Sequence, residues 1–129
     1  MQKKKRIPFV PLFALACGLC AAAPALALGF VSGTSSTVLG RPLDFRAVVR
    51  PDAGQTLDPE CVRASVAGGD RALPAEGGGS VVTAGPDDTA VVRVRTVLRI
   101  DEPIVSVQVE LGCVQRVSRS FTVFADPPL

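Results

Sequence analysis

From Val105 to Leu111 the chain alternates without a break. Val105, Val107, Val109 and Leu111 share one parity, and Ser106, Gln108 and Glu110 share the other. A period of two describes a strand with one face buried and one face wet. A helix would scatter the same valines around its circumference. Ala90 to Ile100 repeats the pattern: Ala90, Val92, Val94, Leu98 and Ile100 are expected inward, and Arg93, Arg95 and Arg99 outward. In Leu43 to Arg50, Phe45, Ala47 and Val49 face the core and Arg46 and Arg50 face solvent. Shorter runs follow at Cys61–Val66, Arg71–Leu73, Ser80–Thr83 and Arg116–Phe124, the last with Phe121 and Val123 inward. Turn residues separate them, notably Pro51–Gly54, Gly68–Asp70, Gly77–Gly79, Gly85–Asp88, Asp101–Pro103 and Gly112–Gln115. No segment after residue 27 carries a 3.6-residue apolar period, and Thr34-Ser35-Ser36 caps at most a fragment of helix. The expected fold is all-β: an immunoglobulin-like sandwich of about seven strands, with a small Greek-key barrel as the alternative. The absence of Trp and Tyr separates it from antibody-type domains.

The first 27 residues read differently. Lys3, Lys4, Lys5 and Arg6 precede an apolar stretch from Ile7 to Ala23, and Ala25-Leu26-Ala27 forms a small-residue cleavage site. This is the layout of a secretory signal peptide cut after Ala27, leaving a single domain over 28–129 and no stable membrane insertion. The apolar stretch is short for a bilayer span and carries Pro8 and Pro11. Cys17 and Cys20 are less suited to lipidation, because Leu19 is bulky where a small residue is expected before Cys20. The expected location is the periplasm. In that oxidising compartment the remaining pair, Cys61 and Cys113, is expected to form a disulfide that ties one end of the sandwich.

The remaining chemistry is narrow. The chain has no His, and its only lysines lie in the first segment. Beyond residue 27 stand ten arginines and twelve acidic residues, a net charge of −2. The usual general bases are therefore missing. Asp87-Asp88 and Asp101-Glu102 are adjacent carboxylates in expected turns, where Asp serves local hydrogen bonding. Neighbours on an extended chain point to opposite faces, which disfavours shared acid–base work. No loop alternates oxygen ligands as a calcium site does. Ser32–Ser36 lacks a base to activate a hydroxyl and reads as an entry loop. Gly77–Gly79 lacks a phosphate-binding lysine. No cofactor, metal or catalytic residue is expected. Arg46, Arg50, Arg93, Arg95 and Arg99 form the candidate binding face, provided that their two strands are neighbours. Guanidinium groups suit carboxylate and phosphate partners, and an Arg-rich exterior that deters edge pairing is the plainer reading. Close like charges need an offset, from Asp44 or from an anionic partner. Export, a net acidic domain and few aromatics argue against nucleic acid.

Three segments carry a family resemblance. Leu39-Gly40-Arg41-Pro42-Leu43-Asp44-Phe45 resembles the L-N-Q-P-L-x-A opening of the FimV/HubP N-terminal domain, which follows a signal peptide and a short segment like Leu28-Gly29-Phe30. Asp101-Glu102-Pro103-Ile104-Val105 resembles its x-E-P-x-x entry to a late strand. Arg119 to Pro128 resembles its closing R-E-Y-T-V-L-L-D-P-P. The likeness is strong at the two ends, and the segment holding Cys61 and Cys113 departs from it. The resemblance implies a periplasmic β domain in the context of type IV pilus assembly or cell-pole organisation. The expected form is a stand-alone relative without the LysM module, so peptidoglycan binding is not implied.

The leading expectation is a non-catalytic exported interaction module with an envelope or pilus-assembly protein as partner. The alternatives are a secreted carboxylate-dependent hydrolase, which the His-less composition disfavours, and an inhibitor-like sandwich acting through a loop such as 75–79.

Overall fold

A computed structural model describes residues 28–75 and 80–129. The expected signal peptide and the glycine loop at 77–79 lie outside the described residues. The strands are β1 (Gly29–Ser35), β2 (Pro42–Arg50), β3 (Val62–Gly68), β4 (Arg71–Leu73), β5 (Val81–Ala84), β6 (Ala90–Arg99), β7 (Ile104–Leu111) and β8 (Val117–Phe124). They form two four-stranded antiparallel sheets, ordered β1-β2-β6-β5 and β4-β3-β7-β8. This is an all-β sandwich with the strand order of an immunoglobulin-like domain. The one helical element described is a 3-10 turn at Pro59–Cys61, whose first turn is held by Asp58 accepting from the Glu60 N–H at 2.9 Å.

The inward parities of β2, β6 and β7 interlock between the sheets. Leu43, Phe45, Ala47, Val49, Val92, Val94, Val105, Val107, Val109 and Leu111 are all buried. β-Branched valine suits this setting because its side chain packs well on a pleated surface. The turns follow local chemistry. Gly69 takes positive φ in the two-residue link from β3 to β4, where Gly68 pairs with Arg71.

Two expectations need correction. Ser32–Ser36 is not a loop: it belongs largely to β1, which pairs with β2 from Gly29↔Arg50 to Ser35↔Phe45. Its residues are mostly exposed and carry no apolar alternation, so periodicity does not reveal this edge strand. Its pairing is specified by the partner strand and by Gly33, where a Cβ would lie 2.7 Å from the Phe121 ring. The aromatic ring thus occupies the space that a side chain would need.

Leu98 is the second correction. It was expected inward, but it is 41% exposed, whereas Thr96 of the same strand is 2% exposed. The β2–β6 register shifts here, with Asp44 opposite Arg95 and Pro42 opposite Arg99. β6 also turns toward the segment after β4, where Ala75 bridges to Thr96 and the Val97 N–H donates to the Pro74 carbonyl at 3.2 Å. At the irregularity the Thr96 hydroxyl accepts from the Leu43 N–H and donates to the Leu98 carbonyl, both at 2.8 Å. Thr96→Val keeps the shape and removes this partner. It is expected to cost about 1–3 kcal/mol, the penalty of a buried unpaired donor. Urea unfolding should show the loss, with Thr96→Ser close to wild type. An unchanged midpoint for the valine variant would mean that Leu43 finds another acceptor.

The chain leaving β1 crosses to the edge of the second sheet. Val38 bridges in parallel to Asp126, the Leu39 N–H donates to the Asp126 carbonyl and the Asp126 N–H donates to the Thr37 carbonyl, both at 2.9 Å. The Leu39–Phe45 and Arg119–Pro128 segments, far apart in sequence, meet at this seam.

Cys61 and Cys113 form a disulfide with Cα atoms 4.9 Å apart. The bridge joins the start of β3 to the turn after β7, beside the Val62↔Leu111 pair. It therefore ties one end of a single sheet and does not cross the sandwich centre.

Candidate functional site

β2 and β6 are neighbours, and their outward parities build the outer face of the first sheet. Arg46 stands directly opposite Arg93, and Asp44 opposite Arg95. β5 supplies the next row, with Val81 opposite Arg93 and Thr83 opposite Val91. The result is a shallow open depression of about 380 Å³ lined by Arg46, Arg93, Arg95, Ser80, Thr83 and the flanks of Val81 and Val91.

Asp44 organises this cluster. Arg93 grips its carboxylate with two groups: Nε donates to Oδ1 at 2.9 Å and the terminal nitrogen to Oδ2 at 2.5 Å. The pair lies diagonally across the strands, and the two side chains are 37% and 28% exposed. A bidentate fork fixes the guanidinium plane as well as its position. The hydrogen bond from Arg93 is the largest influence on the Asp44 carboxyl and lowers its pKa below the ordinary carboxylate value. Partial burial opposes this, and the charges of Arg93, Arg46 and Arg95 reinforce it. A carboxyl depressed in the folded state stabilises the fold above its unfolded pKa, and that contribution is lost as pH falls through the folded value.

The five arginines do not form one patch. Arg46, Arg93 and Arg95 come together. Arg50 lies at one end of β2, in a depression shared with Asp52, Asp87 and Asp88. Arg99 lies at the other end of the sheet, near Arg71 and Asp101. Sequence parity placed all five outward, but the distance along the strands decides which can act on one ligand. Ser80 and Thr83 were missed as lining residues, since nothing in their short run indicates which strand they flank.

The carboxylate pairs serve the turns. Asp87 and Asp88 both adopt left-handed backbone, at φ 53° and 57°, where the Gly85 N–H donates to the Thr89 carbonyl at 2.9 Å. Asp tolerates this conformation better than most side chains. Asp101 faces Arg71 across 3.9 Å. Among the described residues no three His, Cys, Asp or Glu side chains cluster to hold a metal, and no helix is long and apolar enough to cross a membrane.

The opposite outer face differs in kind. Ser65, Ser106, Gln108, Ser118, Ser120 and Thr122 cover most of the β3-β7-β8 surface with uncharged groups, and at its end Arg63 stands opposite Glu110, which Arg116 meets at 3.2 Å. Three arginines side by side, Arg46, Arg93 and Arg95, are a feature of the first sheet. The cluster offers one guanidinium fixed by Asp44 and two exposed ones beside two hydroxyl-bearing residues, a set suited to oxyanion recognition. The chain matches no protein-family model, no curated protein and no solved structure.

Proposed function

We propose that this chain is an exported, non-catalytic interaction module of the periplasm that engages an anionic surface of an envelope protein through Arg46, Arg93 and Arg95. The observation that carries the reading is the β2–β6 register. It sets Arg46 against Arg93 and Arg95 beside Asp44 on one sheet face. Asp44 offsets part of the repulsion among these guanidinium groups, and an incoming carboxylate or phosphate adds to that offset. The signal-peptide pattern of residues 1–27 and the Cys61–Cys113 pair support the compartment. The resemblance to the FimV/HubP N-terminal domain supports a context of type IV pilus assembly or cell-pole organisation. The two segments that resemble its ends lie side by side at the Val38–Asp126 bridge, which gives both one structural role.

The test separates binding from folding. Arg93 anchors Asp44, so its reversal would leave two carboxylates in contact. Arg46 and Arg95 are both exposed, and Arg95, which stands opposite Asp44, is neutralised and not reversed. An Arg46→Glu, Arg95→Gln variant should melt within a few degrees of wild type, because exposed substitutions usually change stability by about 0.5 kcal/mol or less each. In pull-downs from envelope extract it should lose a partner that wild type retains, with the larger difference at low salt. An identical captured set, identified by mass spectrometry, would reduce the cluster to ordinary soluble surface.

A further inference from the structure

Leu28 is half-buried and packs against the edge of the core. Its backbone nitrogen donates to Oδ1 of Asp52 at 2.6 Å, across 24 residues of chain. Two elements bring them together. The β1–β2 ladder pairs Gly29 with Arg50, placing Leu28 beside the turn that follows β2. That turn is held by the Gln55 N–H donating to the Asp52 carbonyl at 2.9 Å, which leaves the Asp52 side chain for Leu28. The cleavage point implied by Ala25-Leu26-Ala27 falls immediately before this same nitrogen.

We propose that cleavage after Ala27 turns the Leu28 nitrogen into an ammonium group that Asp52 captures, so that export processing installs an ion pair absent from the precursor. The proposal rests on reading residues 1–27 as a signal peptide. In the cleavage a signal peptidase hydrolyses the Ala27–Leu28 amide. Water gives its hydroxyl to the Ala27 carbonyl carbon and a proton to the Leu28 nitrogen. The new amine then takes a second proton from solvent at neutral pH, and the Ala27 carboxyl releases one. The amide had one N–H and no charge. The ammonium has three N–H groups and a unit positive charge, and it meets a carboxylate already at hydrogen-bond distance. The depression beside Leu28 also contains Asp58, and the one beside Asp52 contains Arg50, Asp87 and Asp88. Arg50 competes for Asp52, whereas the three other carboxylates favour the ammonium in the same sense as Asp52. Comparison with an Asp52→Asn variant isolates the Asp52 contribution.

The composition makes the test direct. Residues 28–129 contain no lysine, so the Leu28 amine is the one amine in the processed chain. The full precursor is expressed with export, and the recovered protein is weighed intact. The mass should correspond to Leu28–Leu129. Acylation with acetic anhydride as a function of pH then reports one amine. Its apparent pKa should lie about half a unit or more above that of Asp52→Asn, whose amine should fall near the ordinary value of about 7.7–8.0. A raised pKa in the folded state stabilises the fold fully below the unfolded value, and the effect is lost as pH rises through the folded value. The free-amine form should therefore melt about 1–4 °C above its acetylated form at pH 6.5, and the gap should close by pH 10. This second comparison uses wild-type protein alone, so it stands even if the variant folds poorly. Equal amine pKa values, or equal melting of the free and acetylated forms, would overturn the ion pair with the processing reading intact. A terminus elsewhere would overturn the processing reading, and the proposal with it.

Discussion

Phe45→Ala is expected to destabilise the domain by about 3–5 kcal/mol, the range for removing a buried aromatic side chain. Phe45 is 2% exposed and comes from the middle of β2. Its ring centroid lies 4.9 Å from that of Phe121, which β8 contributes from the opposite sheet. Phe121 also meets Phe30 of β1 edge-on at 5.7 Å. Three rings thus close the side of the sandwich between β1 and β8. The Gly33 backbone gives them room, since a Cβ there would stand 3.0 Å from the tip of Phe45. Alanine leaves a cavity that these neighbours cannot fill without moving β1 away from its ladder. A domain of this size has a net stability of about 5–15 kcal/mol, so the loss is a large share. Thermal unfolding should shift down by about 12 °C or more. Phe45→Leu, which keeps more of the volume, should fall between alanine and wild type. A melting point within about 3 °C of wild type for the alanine variant would show that the ring cluster is dispensable.

Removing the disulfide by Cys61→Ser with Cys113→Ser should cost about 2–4 kcal/mol while leaving the folded structure in place. The folded state already holds these positions together. Val62 pairs with Leu111 across the ladder, and the Gly112 N–H donates to the Cys61 carbonyl at 2.9 Å. The bridge therefore adds little order to the native sheet. Its effect falls on the unfolded chain, where it ties residues 52 apart in sequence. The chain-entropy model puts the upper value near 4 kcal/mol for such a loop. The double variant should keep the native far-ultraviolet circular dichroism at 20 °C and melt about 8–25 °C lower. Denatured, unreduced protein recovered after export should titrate with no free thiol. Two thiols per chain, or a double variant that melts with wild type, would count against the bridge as a stabilising link.

What could be read from residues alone follows from where burial is one-sided. β2, β6 and β7 each have one face on the core and one in water, so their valines and arginines separate by parity. The turns were legible for a related reason: Gly69 and the Asp87-Asp88 pair stand where the backbone takes positive φ, and few residues accept it. The Cys61–Cys113 pairing was legible once two other cysteines were assigned to a cleaved segment. β1 was not, because its core contacts fall on Phe30 and the side-chainless Gly33, on either side of a register shift, which leaves no apolar period. Leu98 was misread because a register irregularity breaks the count of two, and only the segment arriving after β4 decides where β6 bends.

The candidate site divides in the same way. Outward parity was a property of each strand and visible in its own residues. That Arg46 meets Arg93, that Asp44 binds Arg93 diagonally, and that Arg50 and Arg99 stand apart depend on register between strands more than 40 residues apart. The meeting of Leu28 with Asp52 belongs to the same class. Local sequence sets which face a side chain takes, because that depends on the next residue along. Which side chains meet is set by sheet closure around the shared core, a long-range outcome that no single segment encodes.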